Sequence, residues 1–212
     1  FARLVLPSAG LETYVEWGRT EFPTSVRDML VSPNHTQAYT LGLQWHRPIL
    51  RDSTFLRFGI ENTTVEQSAT VRDRPLGVWY TSRTVIQGYT HQGQPLGAAV
   101  GPGSSGQTAV LDLIGRSATF GVRAGRIRYN EDVRGISPVP DFKSWCTHDI
   151  YLYVGPRASL RSRFGLAELE MMFGNRIQAW FQVGNGCPRG DAQVDIRNNT
   201  LRLTFSRALR RD

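Results

Sequence analysis

Apolar and polar residues alternate along much of the chain, and this period of two predicts β-strands with one apolar face and one polar face. In the segment 37–46, for example, Tyr39, Leu41 and Leu43 fall on one side, while small and polar residues fall on the other. The pattern predicts about nine strands. Their approximate ranges are 2–7, 11–18, 36–47, 53–66, 107–115, 117–130, 147–157, 163–184 and 198–208.

The connections between the predicted strands alternate in length. The short links are 7–10, 47–53, 115–117 and 155–161, and the long links are 19–35, 67–106, 131–146 and 185–197. Bacterial outer-membrane barrels have this arrangement, with short turns on the periplasmic side and long loops outside the cell.

Alternation of apolar and polar residues also fits a soluble β-sandwich, in which the apolar rows form the core. The polar rows of this chain, however, hold charged residues together with Gly and Tyr, as expected for a water-filled interior. We therefore predict an all-β fold: an antiparallel transmembrane β-barrel in the bacterial outer membrane, with its apolar face against lipid. Residues 1–212 are expected to belong to one barrel domain.

Strand direction adds an expectation about size. If every long loop lies outside the cell, the first and last of nine strands run the same way and cannot close the barrel as antiparallel neighbours. Single-chain bacterial barrels have an even number of strands. The chain also begins at Phe1 without the charged and apolar regions of a signal peptide. We expect it to be a piece of a larger barrel.

The distribution of charge argues against nucleic acid as a partner. The formal net charge is +7, and Lys143 is the only lysine. Nucleic-acid-binding proteins concentrate basic residues on one face or helix, whereas arginines such as Arg123, Arg126 and Arg128 are scattered along alternating segments. Arginines paired with acidic residues inside a barrel fit this pattern better. No uncharged apolar run approaches the ~20 residues of a membrane-spanning helix.

Motifs for catalysis and cofactors are weak. The segment Gly101–Gly106 matches G-x-G-x-x-G, but a strand is predicted after it, whereas a dinucleotide fingerprint opens a helix. The four histidines, His35, His46, His91 and His148, lack the spacing of metal ligands, and no G-x-S-x-G elbow occurs. We predict no enzyme activity, no cofactor and no metal site.

The two cysteines, Cys146 and Cys187, both fall beside or within predicted outer loops. Such a pair could be two unpaired thiols in a cytosolic protein or one disulfide in an exported protein. The predicted topology favours a disulfide between the two loops.

Aromatic rings and other hydrogen-bonding side chains occur in or beside the long links 67–106 and 131–146. Aromatic rings pack on the faces of sugars, and the Arg fork binds the carboxylates of uronic acids. The same rings could instead pack the first loop against the barrel mouth, since a link of about 40 residues must bury something to be ordered. The candidate polysaccharide-binding residues are Trp79, Tyr80, Arg83, Tyr89, His91 and Trp145.

Short motifs spread over nearly the whole chain resemble one protein family. They are Leu11–Arg19 (LETYVEWGR), Arg27–Leu30 (RDML), Ala38–Leu43 (AYTLGL), Gln87–His91 (QGYTH), Pro95–Gly97 (PLG), Gly101–Ser104 (GPGS), Asn175–Arg176, Phe181–Gln182 and Asn198–Leu203 (NNTLRL). By these motifs the chain resembles the C-terminal half of the Wzi-like capsule assembly proteins.

The resemblance implies an outer-membrane barrel of roughly eighteen strands, an even number as bacterial barrels require, with a blocked interior. It also implies a surface lectin that holds capsular polysaccharide at the cell. We expect a capsule assembly or attachment protein that binds acidic capsular polysaccharide through the loops 67–106 and 131–146. The alternatives are an outer-membrane channel that selects small anions through the Arg and Glu rows of its interior, and a structural barrel subunit bound to other envelope proteins.

Overall fold

The computed structural model describes residues 1–20, 25–50, 53–68, 70, 74, 77–81, 84–85, 87–92, 94–132, 148–181 and 194–207. Nine of its strands form one open antiparallel sheet in which neighbours in sequence are neighbours in space. They are β1 (Ala2–Leu6), β2 (Leu11–Arg19), β3 (Gln37–Leu50), β4 (Thr54–Thr64), β7 (Ser105–Ile114), β8 (Ala118–Tyr129), β9 (Asp149–Ser162), β10 (Gly165–Ile177) and β11 (Ile196–Ser206). The predicted all-β fold and its nine strands are confirmed.

Smaller elements lie in the connections. A six-residue helix, α1 (Val26–Val31), follows β2, and a two-stranded hairpin of β5 (Thr90–His91) and β6 (Gln94–Pro95) lies between β4 and β7. A single 3-10 turn occupies Pro7–Ala9, and Ala179–Phe181 forms an irregular turn with Trp180 in a left-handed conformation. Within the described ranges, no helix is long and apolar enough to cross a membrane.

The predicted alternation of connection lengths is confirmed, with the boundaries around β9 and β10 corrected. The prediction of a link at 155–161 is wrong, because these residues lie inside β9 and the turn falls at 163–164. Gly155 and Pro156 suggested a turn. They form an irregularity instead, where pairing with β10 skips from Arg157 to Val154. Pro156 has no N–H to donate, and Gly155 makes room for the β10 backbone at Met171.

The next predicted strand, 163–184, is too long at both ends. It begins at Gly165 and ends at Ile177, after which Gln178, Trp180 and Phe181 all have positive φ angles. Positive φ is incompatible with a continuing strand, so the chain turns away from the sheet at this point.

The register places most of the apolar side chains of the strands on one face of the sheet. One cross-strand row on this face runs through Leu43, Ile60, Ala109, Ala124, Val154 and Phe173. Near the long connections the row gives way to polar residues that bond across strands: Arg126 Nη1 donates to Gln107, and Gln107 Nε2 donates to Asn62. The apolar face is therefore a band with a polar border at one end.

The described residues leave this apolar band uncovered. Phe120 is 60% exposed and Leu203 is 76% exposed, although both lie within strands. The buried hydrophobic residues of the described ranges are only Ala38, Val65 and Ala179. In a complete soluble sandwich such an apolar face is packed against a second layer.

Candidate functional site

The polar face carries a row of tyrosines and glycines near the long connections. The Tyr14 ring of β2 lies over Gly42 of β3, where any side chain at position 42 would overlap the ring. Its hydroxyl reaches one strand further and donates a hydrogen bond to Oε2 of Glu61 on β4. Position 42 must therefore be glycine, because the Tyr14 ring crosses β3 there to reach its hydrogen-bond partner on β4.

A second tyrosine repeats this arrangement from the other side. Tyr153 of β9 lies over Gly125 of β8, and its hydroxyl is 2.9 Å from Oγ1 of Thr108 on β7. Glu61 and Thr108 are direct cross-strand partners, so the two tyrosine hydroxyls converge on adjacent residues. We call Tyr14, Gly42, Glu61, Thr108, Gly125 and Tyr153 the tyrosine row.

The connection between β4 and β7 folds back over the tyrosine row. The Trp79 ring approaches Gly18, and Val100 packs against Gly106, two glycines of the polar face. Between this connection and the sheet lies a cavity of about 690 Å³, within the range of small-ligand sites. This inner cavity has Tyr14, Glu61, Thr108 and Tyr153 on the sheet side, and Trp79, Tyr80 and Gly97–Val100 on the other.

Tyr80 holds the covering segment in shape. Its φ of 68° lies in the left-handed region that bulky residues rarely adopt. Its hydroxyl accepts a hydrogen bond of 3.0 Å from the amide of Ala98, and its carbonyl accepts one of 2.9 Å from the amide of Tyr89. Gly97 leaves space for the ring. Strained residues held by several contacts in this way occur at ligand clamps.

Further from the long connections, a charge row crosses the polar face through Arg57, Asp112, Gly121, Arg157, Glu170 and Arg202. Asp112 is buried, and Nη2 of Arg57 and of Arg157 each lie 2.6 Å from its Oδ2. Arg123 and Arg202 lie 3.5 and 3.8 Å from Glu170. Four arginines thus share two carboxylates, and these contacts cross-link β4, β7, β8, β9, β10 and β11.

Another buried carboxylate fixes the end of β10. Asp149 accepts two hydrogen bonds from Arg176, of 2.8 and 2.6 Å, and a third of 2.8 Å from the amide of Trp180. The Arg176 guanidinium lies between two rings, 4.8 Å from the Tyr129 centroid and 5.0 Å from that of Trp180. Charge pairing and cation–π contacts therefore hold the chain where it leaves the sheet.

The long connections also contact one another. Arg74 Nη1 lies 2.6 Å from Asp28 of α1, and His35 Nδ1 lies 2.8 Å from Thr70 Oγ1. These contacts join the β2–β3 connection to the β4–β7 connection.

The connection after β8 meets the same β4–β7 segment. Asp132 is buried, and its Oδ1 accepts a hydrogen bond of 2.8 Å from the amide of Gln67. Burial raises the pKa of Asp132 to about 6, although the Gln67 amide acts in the opposite direction. Nearby, the amide of Glu131 donates a bond of 2.7 Å to the carbonyl of Gly103. The β4–β7 connection is therefore the centre of the loop assembly.

The candidate residues from the sequence fall into separate places. Trp79 and Tyr80 contact each other edge to face, with ring centroids 6.0 Å apart, and line the inner cavity. Tyr89 is 64% exposed beside the β5–β6 hairpin, and His91 is exposed on it. Arg83, Trp145 and the two cysteines, Cys146 and Cys187, lie outside the described residues.

Sequence reasoning did not identify the sheet side of the cavity. Tyr14, Glu61, Thr108 and Tyr153 fall within the predicted strand ranges. Their convergence was not predicted, because each is separated from the others by long stretches of chain. A tyrosine on the polar side of one strand and a glycine on the polar side of the next are visible in sequence. Their pairing requires the register of the sheet.

Comparison with known proteins returns no match, whether the chain is compared with protein-family models, with curated proteins or with solved structures. Among the described residues, no group of three or more His, Cys, Asp or Glu side chains is arranged to hold a metal ion. The described part of the polar face presents aromatic surfaces, hydroxyls and paired charges.

Proposed function

We propose that the chain forms part of a bacterial outer-membrane β-barrel, with its apolar band against lipid and its polar face toward the barrel interior. The observation that supports this proposal is the burial of side chains on the two faces of the sheet. Apolar residues such as Phe120 and Leu203 are exposed on one face, whereas the charged residue Asp112 is buried on the other. An apolar outer band and a polar interior are characteristic of such barrels. The resemblance to Wzi-like proteins supports a barrel of roughly eighteen strands, of which this sheet is the C-terminal part.

We further propose that the protein is not an enzyme and attaches acidic capsular polysaccharide to the cell surface. The contacts would be made by exposed residues of the long connections, with Tyr89 and His91 on the hairpin side and Arg83 and Trp145 as further predicted contacts. The hairpin supports this proposal because it presents an aromatic ring and an imidazole to solvent, as sugar recognition requires. The interlinked loops supply a fixed platform for them.

The direct test is retention of capsule by cells. Deletion of the gene should release capsule into the medium, and wild-type protein should restore retention. The double substitution Tyr89→Ala and His91→Ala should restore it only in part, since both exposed side chains are removed without disturbing the sheet. Phe164→Ala is the matched control, because this equally exposed ring lies in the short turn at the opposite end. Unchanged surface capsule after deletion would contradict the proposal.

The charge row favours one second candidate, a channel for small anions. Arg57, Arg123, Arg157 and Arg202 outnumber the two carboxylates that they contact, and rings of arginine select anions in pores. Single-channel recordings in a planar bilayer separate the two functions. A capsule-attachment barrel with a blocked interior should be silent, whereas a channel should conduct and lose anion selectivity when Arg157 and Arg202 are replaced by Gln.

A further inference from the structure

We propose that the inner cavity is a binding site for a neutral sugar ring. This goes beyond the proposed function, which assigns acidic polysaccharide to exposed residues of the long connections. The inference depends only on the polar face and its covering segment. It would therefore stand even if the apolar band were covered by something other than lipid.

The aromatic content of the cavity suits a sugar. Trp79 and Tyr80 stand edge to face above the sheet, and Tyr14 and Tyr153 lie flat on the sheet below. A pyranose ring has apolar C–H faces that pack on aromatic surfaces, while its rim of hydroxyls needs hydrogen-bond partners. Aromatic surfaces on two sides of one cavity provide the first requirement.

The polar groups at the centre of the tyrosine row provide the hydrogen-bond partners that the hydroxyls of a sugar need. A carboxylate has about four acceptor sites, so the single bond from Tyr14 leaves Glu61 able to accept bonds from sugar hydroxyls. Thr108 and Tyr153 contribute hydroxyls that can donate or accept. These groups are held in place by the strands and by their own hydrogen bonds, so binding would cost little additional ordering.

Charge determines which sugars the cavity accepts. Of the described residues that line it, Glu16 and Glu61 are acidic and none is basic. A uronate carboxylate would therefore meet like charge without a compensating cation among these lining residues, which disfavours it relative to a neutral sugar. The arginine of the polar face nearest to the tyrosine row is Arg123, two residues from Gly125 along β8, or about 7 Å at 3.3 Å per residue. It does not line the cavity, and its Nη1 lies 3.5 Å from Glu170 of the charge row.

Tyr80 positions the segment of the β4–β7 connection that covers the inner cavity. Its left-handed backbone and its bonds to Ala98 and Tyr89 fix the segment that carries Trp79 over the sheet. Loss of the Tyr80 hydroxyl would therefore weaken binding through Trp79. A Tyr80→Phe variant keeps the ring and removes only the bond to Ala98, which separates this positioning role from direct contact.

Saturation-transfer NMR on the detergent-solubilised protein tests the proposal, with glucose, N-acetylglucosamine and glucuronate as probes. We expect the neutral sugars to bind and glucuronate to bind at least about tenfold more weakly, a difference of ~1.4 kcal/mol.

Trp79→Ala should reduce neutral-sugar affinity by a similar factor. Tyr80→Phe should reduce it less. Glu61→Gln keeps an acceptor for Tyr14 and removes a negative charge, so it should bring glucuronate closer to glucose. Phe164→Ala should change none of these values.

Three results would overturn the inference. The first is binding of glucuronate by the wild-type protein as tightly as glucose, and the second is binding of none of the three sugars. The third is unchanged neutral-sugar affinity in a Trp79→Ala variant whose circular dichroism and heat-modifiable migration match the wild type. None of these results bears on capsule retention, so the cavity and the proposed function are tested separately.

Discussion

The two faces of the main sheet use opposite chemistry. The apolar band leaves large side chains such as Phe120, Phe173 and Leu203 exposed, and no described element packs against it. The polar face buries Asp112 and Asp149, satisfies each with arginine, and is covered at one end by the β4–β7 connection. In a water-soluble sheet the apolar face would be the covered one.

The difference shows where specific structure is needed. The apolar band is a set of interchangeable side chains that needs only an apolar surrounding. The polar face contains contacts that depend on single residues: a glycine beneath each tyrosine, and a carboxylate between two arginines. We therefore expect substitutions on the polar face to act through named partners, and substitutions on the apolar band to act through polarity alone.

The largest effect is expected from Asp112→Asn. This change removes the charge shared by Arg57 and Arg157 and leaves two cations without a counter-ion on a largely enclosed face. Removing one partner of a buried ion pair costs ~3–5 kcal/mol, and the partial exposure of both arginines places the expected loss near the lower value. Urea unfolding in phospholipid vesicles measures it. Glu12→Gln, at the solvent-exposed Arg3–Glu12 pair, should have little effect. Similar losses for both variants would contradict the account.

The second largest loss in free energy of unfolding is expected from Phe120→Arg. At a water-exposed site such a change alters the free energy of unfolding by about 0.5 kcal/mol or less, whereas arginine at a lipid-facing site of a barrel costs ~2–4 kcal/mol. The control is Phe164→Arg in the short turn, where the side chain is exposed to nearly the same degree, 58% against 60%. Equal and small effects in vesicle unfolding would show that the apolar band does not face lipid.

Gly42→Ala should destabilise the tyrosine row by ~1–3 kcal/mol, as overpacking does, because the new methyl group would overlap the Tyr14 ring. Combined with Tyr14→Ala, the same change should cost much less, since the overlapping ring is gone. Gly77→Ala is the control, because its methyl group would have ordinary contact distances only, the nearest being 3.4 Å to Thr81. Additive effects in this double-mutant cycle would show that Tyr14 does not occupy the space over Gly42.

The smallest effect is expected from Asp132 and appears as a pH dependence. Because burial raises its folded-state pKa to about 6 from 3.8, the folded loop binds the proton more tightly than the unfolded chain does. The resulting stabilisation is fully present below pH ~4 and is lost as the pH rises through ~6. Exchange protection of the Glu131 amide, corrected for intrinsic rates, should therefore increase on acidification from pH 7 to 5. Asp132→Asn should abolish this dependence; if the variant keeps it, another group is responsible.

The strands and the alternation of turns were predictable because both depend on local properties of the sequence. Period-two alternation is visible within ten residues, and it located β3, β4 and β11 to within a few positions. The end of β9 was predicted too early, at Gly155 and Pro156. Such turn-forming residues can also be accommodated within a strand, as an irregularity in its pairing.

The inner cavity could be predicted only in part. Trp79 and Tyr80 were identified from their aromatic character in a long link, and packing of this link against the barrel mouth was one of the two alternatives. The sequence does not indicate which residues of the sheet the link meets. The convergence of Tyr14 and Tyr153 on Glu61 and Thr108 depends on the register across β2 to β9, which is a long-range property. The buried position of Asp112 likewise follows from two arginines on strands far away in sequence.

The central claim, that the apolar band faces lipid and the polar face does not, is tested most directly along β8. Single nitroxide labels at Phe120, Val122 and Ala124, and at Thr119 and Arg123, would be compared in vesicles for collision with oxygen and with a water-soluble nickel chelate. The account predicts that the first three labels collide preferentially with oxygen and that the other two are shielded from it. Equal oxygen accessibility at Phe120 and Arg123, or the opposite alternation, would contradict the claim.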